Sequence, residues 1–153
     1  FIHEMLHQWW GGLGLSCAQE ELWSSEGITV YSTYRLVKEK YGELYARQYY
    51  VDAWKEAVDH QNRSFYNRHP EYLELLPKLY QSQIQDSDRT TNWYCRMPLM
   101  ILKAEELVGG EDKMDEILHQ ICMARENYNY ENDFRYADFL RYCGLTEEDL
   151  YLE

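Results

Sequence analysis

The residues with the clearest chemical capacity stand at the start of the chain, in His3-Glu4-Met5-Leu6-His7. Two imidazoles four residues apart lie on one face of a helix, so both can bind the same metal ion. Glu4 lies beside them, where a carboxylate can take a proton from a water molecule that the metal has made acidic. Taken alone, this spacing also fits an ordinary helix that happens to carry two histidines. The motif therefore indicates a catalytic metal site without requiring one.

A third candidate ligand follows the second histidine after eighteen intervening residues. This residue, Glu26, is predicted near the start of the second helix. Catalytic zinc commonly takes two His and one Glu and leaves a fourth position open for water or substrate. The sequence therefore predicts a zinc (Zn²⁺) site formed by His3, His7 and Glu26, with Glu4 as general base.

The residues around these ligands carry a resemblance to a known family. The segment H-E-x-x-H-x-W-W-G at 3–11, the eighteen-residue spacer and the segment W-x-x-E-G-x-x-x-Y at 23–31 closely resemble the signature of the aminopeptidase N and leukotriene hydrolase family. The resemblance extends over the chain and implies a gluzincin zinc metallopeptidase. It further implies that the chain is the helical lobe of a thermolysin-like, two-lobed catalytic domain with peptides as substrates.

The same resemblance gives a role to Tyr94. The segment 94–110 is similar to a later family segment whose leading tyrosine hydrogen-bonds the tetrahedral intermediate, which makes Tyr94 the expected oxyanion stabiliser. The match is incomplete, because Cys95-Arg96-Met97 stand where the family usually has Glu-Lys-Gly. With fifteen tyrosines in the chain, a merely packed aromatic side chain remains the alternative.

Two further departures concern the surroundings of the ligands. Ser25 stands where the family commonly has Asn, and Thr33 stands where it commonly has an acidic residue seven positions after the third ligand. Groups that hydrogen-bond metal ligands orient them and change metal affinity by roughly 10–100-fold. These substitutions therefore predict weaker support of the ligands unless other groups take over.

The elements that must position these residues are predicted to be helices. Apolar residues recur at spacings of three and four, and clean alternation is absent, so the expected class is mainly α. Gly11, Gly42 and Gly109 are expected to end helices. The predicted helices cover about 1–10, 22–40, 43–66, 93–108, 112–126 and 133–142. The stretch 72–80, which contains Pro77, is predicted to be irregular, the polar stretch 81–92 is predicted to connect it to the next helix, and Thr146 is expected to cap a final short turn.

Composition limits the other classes of function. The chain has 153 residues, which fits a single helical domain over 1–153, and its net charge of −12 argues against a nucleic-acid partner. No apolar run is long enough to cross a bilayer, and the compartment stays unassigned. Cys17, Cys95, Cys122 and Cys143 lack C-x-x-C spacing, which leaves buried thiols or distant disulfides.

The start at Phe1 suggests an excised piece of a longer protein. By the resemblance, an upstream sheet-containing lobe would carry a Gly-x-Met-Glu-Asn loop that grips the substrate's amino group. The piece alone is expected to be inactive and to self-associate through the surface that this lobe would cover. Endopeptidase activity, epoxide hydrolysis and an inactive helical interaction domain remain alternatives. The histidines at 60, 69 and 119 are expected at the surface or lightly buried, and the acidic pair Glu105-Glu106 is predicted to lie on a solvated face.

Overall fold

The computed structural model describes residues 1–11, 15–17 and 23–152. The described residues are mainly α-helical and contain isolated bridges but no β-strand, which confirms the predicted fold class. Within these residues no helix combines the length and the apolar character needed to span a membrane.

The helices of the described residues fall into three kinds. The α-helices are α1 (Ile2–Leu6), α2 (Ile28–Tyr41), α3 (Glu43–Ala46), α4 (Asp52–Arg63), α5 (Phe65–Arg68), α6 (Pro70–Leu73), α7 (Lys78–Thr91), α8 (Met97–Val108), α9 (Glu111–Met123) and α10 (Tyr136–Cys143). Three π-helical turns interrupt or precede them: π1 (Trp23–Gly27), π2 (Arg47–Val51) and π3 (Asn92–Arg96). Two 3₁₀ turns follow at Arg125–Asn127 and Glu148–Leu150.

Helix α2 lies at the centre of the fold. It contacts α1, α3, α8 and π1. Its buried side chains include Ile28, Tyr34 and Val37, and the Tyr34 ring packs edge-on against Trp54 of α4 at 5.5 Å. Burial of apolar area is the main favourable term in folding, so α2 anchors the elements that carry the candidate ligands.

A buried polar network crosses from α2 to α8. The Tyr31 hydroxyl donates a 2.6 Å hydrogen bond to Glu105, and the Arg35 guanidinium lies 3.7 Å from the same carboxylate. Burial and the Glu105 carboxylate raise the pKa of Tyr31. The prediction of a solvated face at 105 and 106 is therefore wrong for Glu105, which is 8% exposed. A buried carboxylate is stable here because it has a hydrogen-bond donor and a cation.

Helix α1 is shorter than predicted. It ends at Leu6 and not at Trp10, because the chain turns to pair with Leu15. The Leu15 N–H donates to the Trp9 carbonyl at 2.9 Å, and the Gly11 N–H donates to the Leu15 carbonyl at 3.1 Å. Gly11 makes this turn at a φ of 83°, a conformation that glycine adopts at little cost.

The predicted connection over 81–92 is wrong, because α7 covers it. All the described side chains of α7 are exposed or half-buried, so the segment lacks the apolar stripe by which a helix is recognised in sequence. The predicted helix over 43–66 is also divided, by π2 and by Ser64, whose ψ of 136° is extended. The stretch 72–80 contains the end of α6 and the start of α7.

The remaining helix ends agree better with the ends predicted from the sequence. Gly42, Gly109 and Gly144 follow α2, α8 and α10 at positive φ. Thr146 and Asp149 hydrogen-bond reciprocally around the last turn, with the Thr146 N–H donating to the Asp149 carboxylate at 2.8 Å. The predicted helix start at 22 lies outside the described residues. The four cysteines are free thiols and half-buried, so they do not form the distant disulfides that the sequence left open.

Candidate metal centre

The three predicted ligands come together from two elements. His3 lies in α1, His7 directly follows it, and Glu26 lies in π1. His3 Nε2 is 3.0 Å from Glu26 Oε2, His7 Nε2 is 3.2 Å from the same oxygen, and the two imidazole nitrogens are 3.1 Å apart. Ligands of a tetrahedral zinc ion with bonds near 2.05 Å lie about 3.3 Å from one another, so this spacing fits such an ion.

Hydrogen bonding shows which nitrogen of His7 is free to bind a metal. His7 Nδ1 lies 2.9 Å from the carbonyl oxygen of Trp10. A carbonyl only accepts, so Nδ1 carries the proton and a neutral ring presents the lone pair of Nε2 toward His3 and Glu26. A lone pair next to a carboxylate oxygen requires a cation or a proton between them, which makes the donor set chemically suited to a metal ion.

Two hydroxyl groups also surround His7 Nδ1. Ser25 Oγ and Thr29 Oγ1 each lie 3.4 Å from it. Thr33 does not reach the ligands, because its hydroxyl donates to the Thr29 carbonyl within α2 at 2.8 Å. The oxygen atoms around His7 Nδ1 are therefore neutral, whereas the resemblance predicts an acidic residue near the ligands.

Tyr94 lies at the same centre, in the middle of π3. Its ring centroid is 6.2 Å from that of His3, and its side chain is 37% exposed. Partial burial raises the pKa of Tyr94, and the charges of Glu26 and Glu4 raise it further, so the hydroxyl keeps its proton at neutral pH. Glu4 is exposed and thus open to a reacting molecule.

Close backbone approach brings π1 and π3 together. Gly27 follows Glu26 directly, and a Cβ atom at this position would lie 2.8 Å from Cβ of Met97 and 3.7 Å from the Trp93 carbonyl oxygen. Its backbone is ordinary helix, with φ of −63°, so space and not conformation requires glycine there. The absence of a side chain at position 27 lets π1 pack directly against π3 and the start of α8.

The neighbouring tryptophans differ from each other. Trp10 is 6% exposed and belongs to the core, whereas Trp9 is 48% exposed and borders a shallow depression against α9. His60 and His119 are exposed and His69 is half-buried. Among the described residues, His3, His7 and Glu26 are the one group of three His, Cys, Asp or Glu side chains placed to share a metal ion.

Sequence reasoning missed several groups at this centre. The Trp10 carbonyl that orients His7 is a backbone atom and leaves no residue signal. Thr29 lies three positions after Glu26 and one helical turn after Ser25, a spacing that places it on the ligand face of α2, but threonine is too common to be singled out.

Comparison with known proteins points to aminopeptidases. Leucine aminopeptidase 2 of Emericella nidulans is 31% identical over 119 residues, which cover 76% of this chain and 18% of the relative. Aminopeptidase RNPEPL1 of Mus musculus is 26% identical over 121 residues, covering 76% and 16%. The human RNPEPL1 is 39% identical over 44 residues, covering 29% of this chain and 6% of the relative.

The chain is thus similar to aminopeptidases over about three quarters of its length, and it spans less than a fifth of the length of these curated relatives. No protein-family profile matches the chain. No solved structure matches it either.

Proposed function

We propose that the chain carries the catalytic centre of a zinc-dependent, aminopeptidase-like peptidase of the gluzincin type. The observation that carries the proposal is the convergence of His3 Nε2, His7 Nε2 and Glu26 Oε2 within 3.0 to 3.2 Å of one another. The similarity to aminopeptidases supports the same reaction class.

Each residue of the site has a role that follows from the chemistry of its side chain. His3, His7 and Glu26 hold the ion, and zinc in such a site polarises a carbonyl group and makes a water molecule more acidic. The Glu4 carboxylate takes the proton of the attacking water and later returns it to the leaving amine. The Tyr94 hydroxyl, protonated at neutral pH, donates a hydrogen bond to the oxygen of the scissile carbonyl as its charge develops.

The proposal of exopeptidase specificity rests only on the similarity to aminopeptidases. The relatives are named aminopeptidases, but no described residue of this chain is assigned to binding a substrate's amino group. We infer that this contact comes from the upstream lobe expected from the family resemblance. Cleavage of internal bonds is the rival outcome of the experiment that follows.

The proposal is tested in the full-length protein by zinc analysis and by turnover on aminoacyl substrates and internal peptides. We expect zinc near one equivalent, loss of activity on chelation and recovery with zinc, and preference for a free amino terminus. Glu26→Ala is expected to lose both zinc and activity, whereas Glu56→Ala, a change at an exposed acidic residue of α4, should keep both. A wild-type protein that hydrolyses nothing while holding zinc would favour an inactive interaction domain instead.

A further inference from the structure

The π-helical turn that carries Tyr94 is held at both ends by one side chain of α4. Gln61 Oε1 accepts two hydrogen bonds from Arg96, from Nε at 3.1 Å and from Nη2 at 2.7 Å. Its amide nitrogen donates to Asn92 Oδ1 at 3.1 Å, and the Asp88 carbonyl and carboxylate oxygens lie farther away, at 3.3 and 3.4 Å. Asn92 and Arg96 are the first and last residues of π3, and Tyr94 is its middle residue. A single amide thus bridges the two ends of the turn.

The orientation of the Gln61 amide follows from its partners. Arginine has donors only, so the oxygen of the Gln61 amide must face Arg96 and the NH₂ group must face Asn92. Gln61 is 9% exposed, and Arg96 also donates from Nη2 to Asn62 Oδ1 at 2.6 Å. Buried amides with all their partners fix one geometry, because a buried donor or acceptor left unpaired destabilises the fold.

Arg96 is bound by neutral oxygens. Its guanidinium donates hydrogen bonds to the side-chain amide oxygens of Gln61 and Asn62, and burial lowers its pKa. This arginine stands where the resembled family has lysine. A planar guanidinium can give two hydrogen bonds to one amide oxygen in a fixed orientation, which an ammonium group does less well.

The turn needs such support because its helix is locally irregular. Pro98 has no N–H to donate to the Tyr94 carbonyl, so the ordinary α-helical hydrogen bond is missing at that carbonyl. π-helical turns occur mostly as single insertions within α-helices, and they are frequent at functional sites. Tyr94 and Arg96, two residues apart, face different sides of the turn. Arg96 therefore ties the turn to α4 while the Tyr94 ring extends toward His3.

We propose that Gln61 is a positioning residue: by joining Asn92 and Arg96 it holds π3 in the shape that aims the Tyr94 hydroxyl at the metal centre. This inference rests on the proposed function for Tyr94. It assigns to Gln61 no contact with substrate or metal. Small displacements of a catalytic group cost rate steeply, so loss of this bridge should reduce turnover more than substrate binding.

Gln61→Ala and Gln61→Glu in the full-length protein test the bridge. Glutamate keeps an acceptor for Arg96 but has no donor for Asn92, so it opens one end only. We expect Gln61→Ala to lower kcat by about tenfold or more with KM and zinc content unchanged, and Gln61→Glu to lower it less. Asn67→Ala is the matched control, because Asn67 donates to the Gln61 carbonyl at 2.8 Å and to Asp88, whereas within the described part of the chain its side chain has no hydrogen bond to Asn92, Tyr94 or Arg96. It should retain wild-type kcat.

A double variant separates positioning from general support of the fold. If Gln61 acts through Tyr94, adding Gln61→Ala to Tyr94→Phe should cause little further loss, since the hydroxyl to be positioned is already absent. Full additivity of the two losses would overturn the proposal, as would equal kcat in Gln61→Ala and Asn67→Ala. Should Gln61→Ala fail to fold, Gln61→Glu carries the same comparison.

A measurement that does not depend on turnover tests the role of Gln61 separately from the proposed function. Fluorotyrosine placed at position 94 reports the surroundings of that ring by ¹⁹F NMR. We expect Gln61→Ala or Gln61→Glu to shift or broaden the signal and Asn67→Ala to leave it unchanged. Lack of peptidase activity in the wild type would contradict the proposed function, whereas an unchanged ¹⁹F signal in both Gln61 variants would contradict the role of Gln61.

Discussion

At the scale of single residues, His7 is oriented by neutral oxygens. The Trp10 carbonyl lies 2.9 Å from its Nδ1, and the hydroxyls of Ser25 and Thr29 lie 3.4 Å from the same atom. A carboxylate in this place would raise the basicity of the imidazole more than a carbonyl does. The geometry therefore fixes the ring as well as an acidic partner would, while leaving the imidazole a weaker electron donor to the ion.

Glu4→Gln is expected to retain zinc and lose turnover in the full-length protein. The carboxylate moves protons and is not one of the three converging ligands. Loss of general acid–base help costs about two to four decades in rate. Zinc analysis and steady-state kinetics on the same preparation check this. Activity above roughly a tenth of the wild-type value would exclude Glu4 as the base.

Tyr94→Phe removes one hydroxyl and almost no volume. Loss of an oxyanion donor costs roughly 2.7–4 kcal/mol in the transition state, so kcat should fall by about two to three decades with little change in KM. Tyr80→Phe is the matched control, since Tyr80 lies on α7 and is 54% exposed. Equal rates in Tyr94→Phe and the wild type would make Tyr94 a packed aromatic residue only.

The candidate ligands could be predicted from the sequence because the spacing of these residues indicates a metal site. Two histidines four apart and a glutamate at a family spacing predict convergence without knowledge of the fold. The role of Gln61 had no such signal, because its partners Asn92 and Arg96 are about 30 residues away and meet it only in the folded chain. The buried state of Glu105 was missed for the same reason, since its donor Tyr31 lies on another helix.

At the scale of elements, the site depends on irregular helical turns. Glu26 lies in π1 and Tyr94 in π3. Helices with an apolar stripe, such as α2 and α8, were predicted with approximately correct C-terminal ends, because a glycine follows each of them. The π turns and the polar helix α7 were not predicted, because neither leaves a period in the pattern of apolar residues. The parts of the fold that sequence missed are therefore the parts that set the geometry of Tyr94.

Gly27→Ala tests the contact of π1 with the start of α8, directly after π3. The added methyl group would lie 2.8 Å from Cβ of Met97, closer than carbon atoms pack, so π1 and the start of α8 must separate. We expect reduced thermal stability and weaker zinc binding, since overpacking costs about 1–3 kcal/mol. Differential scanning calorimetry and chelator competition measure the two effects.

The partner variant Met97→Gly removes the carbon atom that the new methyl group meets. The double variant Gly27→Ala/Met97→Gly should therefore be more stable than the sum of the two single losses predicts. Strict additivity would show that the two residues do not share this contact.

At the scale of the whole molecule, α1 and the residues on either side of it present apolar side chains to solvent. Phe1 is 97% exposed, Ile2 40%, Met5 49% and Trp9 48%. Exposed apolar surface of this kind marks a place where another element or another molecule binds. The three ligand atoms lie beside this surface, and the chain spans less than a fifth of the length of its aminopeptidase relatives.

The 153-residue chain alone is therefore expected to fold as a helical domain, bind zinc weakly and hydrolyse no peptide. Metal affinity depends on ligands held together by their surroundings, and catalysis depends on a substrate held by both sides of a cleft. α1 has five residues, so its end frays easily and loosens His3. Zinc occupancy, peptide turnover and oligomeric state should be compared between this chain and one extended upstream through the expected amino-binding loop. We expect zinc binding and activity to rise on extension and self-association of the shorter chain to disappear. Equal occupancy and equal activity in the two would show that α1 and its neighbours suffice, and that the exposed apolar face serves another purpose.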